Sequence, residues 1–120
     1  MAEGKIDSLE SLKLSMRQFA QDREWEQFHS PKNLSMALAG ETAELLDCFR
    51  WLTEEGSYQL DPEQLSAVQD ELADVLLFTV RLADKLNVDL FAAAQQKIAK
   101  NAERYPIEKV KGSAKKYNQY

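Results

Sequence analysis

Two pairs of acids, each spaced three residues apart, lie in apolar surroundings in this 120-residue chain. Glu41 and Glu44 stand in Gly40-Glu41-Thr42-Ala43-Glu44-Leu45-Leu46-Asp47, and Glu71 and Asp74 in Asp70-Glu71-Leu72-Ala73-Asp74-Val75. Positions i and i+3 share a helix face, so each pair should project from one side of its own helix. Met36, Ala37, Leu38 and Ala39 precede the first pair, and Val75, Leu76, Leu77 and Phe78 follow the second. The midpoint of Glu41 and Asp74 is also that of Glu44 and Glu71, and it falls in a polar stretch around Gly56 and Ser57. Two helices folded antiparallel about that stretch, with equal rise per residue, bring the four carboxylates to nearly the same level.

Four carboxylates facing one another beside apolar surface repel strongly unless cations neutralise them. Hard, oxygen-ligated Mg²⁺ is the natural candidate. The alternative is a pair of solvated acidic faces, since most Asp and Glu are exposed; the apolar embedding and the shared level argue against it.

The remaining chain reads as helices with strong boundaries. Asp7 with Glu10 resembles a capping box opening helix 1, whose apolar stripe is Leu9, Leu12, Met16, Phe19 and Ala20. Trp25-Glu26-Gln27-Phe28-His29 forms a connector rich in aromatics, with His29, the only histidine, read as a packing or surface residue. Ser30-Pro31 starts helix 2, expected to run to about Trp51. Gly40 inside it costs roughly 1 kcal/mol relative to Ala and is expected to mark a close approach. Asp61-Pro62 with Gln64 starts helix 3, expected to reach about Leu86 and apolar over most of its circumference from Ala73 onward. A helix apolar all round must be covered on several sides, so a homo-oligomer, most simply a tetramer, is expected. Asp89 caps helix 4, which should end at Tyr105 before Pro106. Lys97, Asn101, Arg104 and Tyr105 share one polar face of it. Residues 107–120 lack periodicity and read as a basic, poorly structured tail. The expected class is therefore all-α: a single domain over 1–120, with a four-helix bundle-like protomer.

Charge bounds the partners. The net charge is −5, but residues 97–120 carry seven basic and two acidic residues. An acidic body argues against a nucleic-acid polymer, whereas a basic tail beside an acidic centre suits a small polyanion. Cys48 is the only cysteine, which rules out an internal disulfide and fits a reducing compartment. No apolar run resembles a signal peptide or a membrane span, so a cytoplasmic protein without a membrane partner is expected.

With those residues in view, the chain resembles the all-α nucleoside triphosphate pyrophosphohydrolases of the MazG-like superfamily, and within it the dCTP pyrophosphatase branch. The family pattern E-x-x-E, spacer, E-x-x-D stands here as Glu41-x-x-Glu44 and Glu71-x-x-Asp74. The likeness extends through Arg23-Glu24-Trp25-Glu26-Gln27-Phe28-His29, Pro31-Lys32-Asn33-Leu34, Phe49-Arg50-Trp51, Arg104-Tyr105-Pro106 and Lys116-Tyr117. It implies Mg²⁺-dependent cleavage of a nucleoside triphosphate between the α- and β-phosphates, giving a monophosphate and pyrophosphate. It further implies that Glu41, Glu44, Glu71 and Asp74 hold the metal, with one of them also orienting water. Trp25 and Trp51 would wall the base pocket; Lys97, Asn101, Arg104 and Tyr105 would contact sugar and phosphates. One departure stands out: Met16 occupies the position of a base-contacting His, and a thioether cannot supply that hydrogen bond. Strict selectivity for cytosine is therefore not expected. The competing readings are a non-catalytic helical interaction module and a carboxylate metal-storage bundle. The second is disfavoured by the lack of Glu-x-x-His pairs.

Overall fold

The computed structural model describes residues 5–119, and every regular element among them is helical: α1 (Leu9–Asp22), α2 (Pro31–Asp47), α3 (Pro62–Lys85), α4 (Leu90–Arg104) and the single-turn α5 (Ile107–Val110). Short 3-10 turns lie at Glu26–Phe28, Gly56–Tyr58 and Tyr117–Gln119. The chain divides into two compact units, Met1–Asn87 and Val88–Tyr120. Among the described residues no helix is long and apolar enough to cross a membrane.

In the first unit α2 packs along α3, and α1 packs on α3. Three starts follow the local chemistry. Ser30 caps α2 through Asn33 N–H with Pro31 at the first position. Asp61 and Gln64 form a reciprocal capping box on α3. Asp89 accepts from Ala92 N–H at the start of α4 in the second unit. The α1 start differs from the sequence expectation by one residue. Ser8, with extended backbone, is the cap, and Ser11 returns the bond to Ser8 N–H. Two hydroxyls three apart thus perform the reciprocal capping expected of Asp7 and Glu10.

The core is narrow: Ala20 of α1, Leu34 of α2, and Val68, Val80 and Ala83 of α3 are buried. Leu34, at 2% exposure, is the largest buried apolar side chain among the described residues, and its burial contributes about 1.5–3 kcal/mol.

The end of α2 also departs from expectation. The helix stops at Asp47, and residues 48–52 tighten into i→i−3 bonds, Cys48 to Leu45, Phe49 to Leu46 and Leu52 to Phe49. Trp51 therefore stands in a turn beyond the helix. In the second unit Pro106 starts α5, where Val110 N–H reaches the Pro106 carbonyl, so part of the expected unstructured tail is a helical turn.

The connector between α1 and α2 is held at both ends. Behind it, α1 closes in a Schellman motif: Glu24 takes the left-handed conformation (φ 55°), Trp25 N–H reaches Ala20 O at 2.8 Å, and Glu24 N–H reaches Gln21 O at 3.1 Å. A non-glycine residue there costs on the order of 1 kcal/mol. Ahead of it, Arg81 of α3, 2% exposed, donates through Nε to His29 Nδ1 at 3.1 Å and through Nη1 to Asp84 Oδ2 at 3.1 Å, and its Nη2 pairs with Glu26. Lys85 joins the other Glu26 oxygen at 2.7 Å, and Arg17 of α1 clasps Asp84 with two bonds at 3.1 and 2.6 Å. Burial, with the Arg81 charge, pushes His29 down, keeping it a neutral acceptor. Hydrogen bonds from the cations hold Glu26 and Asp84 below the usual carboxylate range.

Gly40 meets no close approach within the protomer: a Cβ built there finds no atom within 4 Å. With the steric reason absent, Gly40→Ala is expected to raise the unfolding free energy by about 1 kcal/mol through helix propensity, measured by urea denaturation. A destabilised variant would contradict this.

Candidate functional site

The hairpin of α2 and α3 brings the acid pairs to the same level. Carboxylate oxygens of Glu41, Glu44 and Glu71 all lie within 4.8 Å of one another. Glu41 and Glu44 are one turn apart on α2; Glu71 faces them from α3. Asp74, one turn further along α3, falls outside that group of three, but its charge reaches both Glu41 and Glu71. The level placement read from the spacing is thus present for three of the four acids, with the fourth adjacent.

The electrostatics mark this group as incomplete. Oε2 of Glu41 and Oε2 of Glu71 are buried and have no hydrogen-bond partner. Buried polar atoms are nearly always satisfied, and two orphaned carboxylate oxygens in one cluster are chemically suited to a cation. Glu41 is pushed up to about 7, first by the facing Glu71 carboxyl, then by burial and by the charges of Glu44 and Asp74. The Glu41 carboxyl draws Glu71 downward, but burial with the same neighbouring charges carries it upward on balance. An all-carboxylate donor set of this kind fits a hard divalent cation such as Mg²⁺.

The other sequence candidates lie in separate surroundings. Trp25 packs edge-on against Phe19, with ring centroids 5.8 Å apart, and against His29 at 6.4 Å. Trp51 is 85% exposed, with the Arg50 guanidinium 5.0 Å from the ring centroid. Each indole thus offers accessible surface from a different setting. Met16 is half-buried on α1. In the second unit Lys97, Asn101 and Arg104 are exposed on α4, and the half-buried Tyr105 closes that helix through a bond from its N–H to Asn101 O at 2.8 Å.

Sequence reasoning passed over Arg81 and its partners. The signal was present: Arg81 is the only basic residue in the apolar stretch from Ala67 to Ala83. Arginine is almost never fully buried unless paired, so partners had to exist. Their identity could not be read locally, because Glu26 and His29 lie 55 and 52 residues away.

The raised Glu41 carries a pH dependence of definite sign. Its folded value near 7 exceeds the ordinary 4.5, so its ionisation favours the unfolded chain. The stabilising contribution is complete below about pH 4.5 and is lost as pH rises through about 7. Glu41→Gln is therefore expected to raise the melting temperature of metal-free protein at pH 8, with the gap from wild type shrinking toward pH 4.5. Added Mg²⁺ should raise the melting temperature of wild type and leave the variant nearly unmoved. A wild-type protein indifferent to Mg²⁺ would remove the cluster from consideration as a metal centre.

Comparison with known proteins places this arrangement in a family. The MazG-like family model matches residues 37–119, spanning α2 through α5. Mouse dCTP pyrophosphatase 1 is 44% identical over 112 residues, covering 92% of this chain and 66% of the mouse protein. The human protein of that name is 41% identical over 114 residues, covering 93% and 67% respectively. The chain thus spans about two thirds of the length of these relatives. The crystal structure of a pyrophosphatase from Archaeoglobus fulgidus superimposes with a TM-score of 0.78 at 30% identity, covering 88% of this chain and 99% of that one. On the family match and this identity over nearly its whole length, the chain belongs to the MazG-like family.

Proposed function

We propose that this chain is a metal-dependent dNTP pyrophosphohydrolase, cleaving dCTP or a related dNTP between the α- and β-phosphates to give a monophosphate and pyrophosphate. The observation that carries the reading is the pair of orphaned carboxylate oxygens on Glu41 and Glu71, two residues that each bring a carboxylate oxygen within 4.8 Å of one another and of one from Glu44. Family membership and relatives named dCTP pyrophosphatase supply the substrate class.

In this reading Glu41, Glu44 and Glu71 hold Mg²⁺, and Asp74 completes the set from the next turn of α3. A bound divalent ion supplies charge neutralisation for the triphosphate and lowers the pKa of an attacking water. One carboxylate of the set would also orient that water. Trp25 and Trp51 offer aromatic faces for the base. Stacking of this kind is worth about 1–3 kcal/mol per base and tolerates several bases. Lys97, Asn101, Arg104 and Tyr105 contact sugar and phosphates, where cationic and hydrogen-bonding groups offset the triphosphate charge. Met16 packs on the base without a directed hydrogen bond, which relaxes the choice among dNTPs.

The protomer is read as one of several in a homo-oligomer, most simply a tetramer. Phe19, Met36, Leu46, Leu72 and Leu76 of the first unit are exposed, as are Phe91 and Ile98 of α4 in the second. Patches of that kind mark association surfaces. The reading places the enzyme in the cytoplasm, acting on the nucleotide pool.

A panel of dNTPs with Mg²⁺ is expected to yield monophosphate and pyrophosphate, with dCTP among the substrates and at least one other dNTP turned over. EDTA should abolish the reaction. Trp25→Ala and Trp51→Ala are each expected to raise the KM for dCTP about tenfold, the loss of one stacking contact, with Mg²⁺ affinity retained. Failure to release pyrophosphate from any dNTP would leave the protein a helical interaction module. Light scattering should report a mass well above the 13.7 kDa of one chain; an active monomer would contradict the assembly.

A further inference from the structure

We propose that Arg81 is a positioning residue for the nucleotide base, fixing the connector 24–29 so that the Trp25 ring is presented in one orientation. The proposal rests on the reading of Trp25 as a base contact. Its geometry stands independently. Trp25 is 44% exposed, and a half-exposed indole on a connector would ordinarily sample several orientations. Here the backbone on one side is closed by the Trp25 N–H bond to Ala20 O and by Glu24 in the left-handed conformation. On the other side the next residue, Glu26, is bound by both Arg81 and Lys85, and His29, whose ring lies against Trp25, accepts from Arg81.

Arg81 is the member that makes this arrangement single-valued. Its planar fork has fixed donor directions, and all three nitrogens are used, on Glu26, His29 and Asp84. Asp84 is in turn clasped by Arg17 of α1. The connector is thereby referred to α1 and α3 together, and Phe19 of α1 forms the second wall against Trp25. Lysine at position 81 could satisfy the charge but not three acceptors in one plane. The metal cluster draws on none of these groups, so the network affects base binding and leaves the metal's chemistry unchanged.

The test combines kinetics with a direct report on the ring. Glu26→Gln keeps shape at a half-exposed position and weakens both cationic contacts; Arg81→Lys keeps charge and removes the fork. Both are expected to raise the KM for dCTP about fivefold, with kcat within about twofold of wild type and Mg²⁺ affinity unchanged. In a Trp51→Phe background Trp25 is the only tryptophan, and both variants should then show stronger acrylamide quenching. If Trp25 transmits the effect, Glu26→Gln added to Trp25→Ala should raise KM no further than Trp25→Ala alone. A further rise in that double variant, or unchanged KM and quenching in a folded Glu26→Gln protein, overturns the assignment of Arg81 even where Trp25→Ala itself raises KM. A Trp25→Ala enzyme with unchanged KM removes the Trp25 reading, and the proposal with it. Should Arg81→Lys not fold, Glu26→Gln decides the matter alone.

Discussion

Repulsion between α2 and α3 is the constraint around which the first unit is built. Glu41 and Glu44 on one helix face Glu71 on the other, with Asp74 close enough to add its charge. The free energy that keeps the helices together must come from elsewhere along the hairpin. Leu34 near one end of α2, and Val68, Val80 and Ala83 along α3, supply the apolar burial. The two proline-led, side-chain-capped starts at Ser30 and Asp61 fix where each helix begins. Register along the hairpin then follows, and it is the register that decides whether the acids meet. A stabilised apo fold would lack the acids; a functional one carries them and loses stability until charge is neutralised, a trade common at sites that bind ions.

The thin core bears on assembly. Among the described residues only five apolar side chains are buried, while large apolar groups on α1, α2, α3 and α4 face outward. Scattered apolar exposure is normal on a surface. Here the exposed groups recur at helical spacing, as with Leu65, Leu72 and Leu76 on α3. That pattern continues the argument from helix 3: a stripe wide enough to need covering on several sides is covered on only some of them by α1 and α2. This uncovered stripe is the feature on which the proposed homo-oligomer rests, since identical copies would offer matching surfaces.

What could be read from the chain beforehand follows the range of the interaction. The helix starts at Ser30, Asp61 and Asp89 are local chemistry, legible within four residues, and they stand where the sequence places them. The level acid pairs were legible because a symmetric hairpin needs only residue numbers and a turn position. The α1 cap was misplaced by one because Ser8 and Ser11 compete with Asp7 and Glu10 for the same role, and sequence alone did not rank them. The early end of α2 reflects the turn at residues 48–52, which has no glycine or proline to announce it. Gly40 reads as a mark of close approach by another backbone or a ligand, and no other part of the chain makes that approach. The Arg81 network was beyond reach. It joins α1, the connector and α3 through side chains more than 50 residues apart, and no local pattern encodes such a meeting.

The molecule therefore holds two polar clusters that differ in kind. Around Arg81, cations and anions alternate, each nitrogen of the fork has an acceptor, and the carboxylates are held below their ordinary range. Such a cluster is internally satisfied: Arg81 is paired with both Glu26 and Asp84, and Asp84 with Arg17 as well. Around Glu41 only anions meet, two oxygens have no partner, and both carboxyls that face each other across the hairpin are held above the ordinary range. That cluster becomes satisfied only when something positive arrives. The direction of the shifts, down in one cluster and up in the other, follows from this difference in partners: alternating charges stabilise the ionised carboxylates around Arg81, whereas like charges and burial oppose ionisation around Glu41.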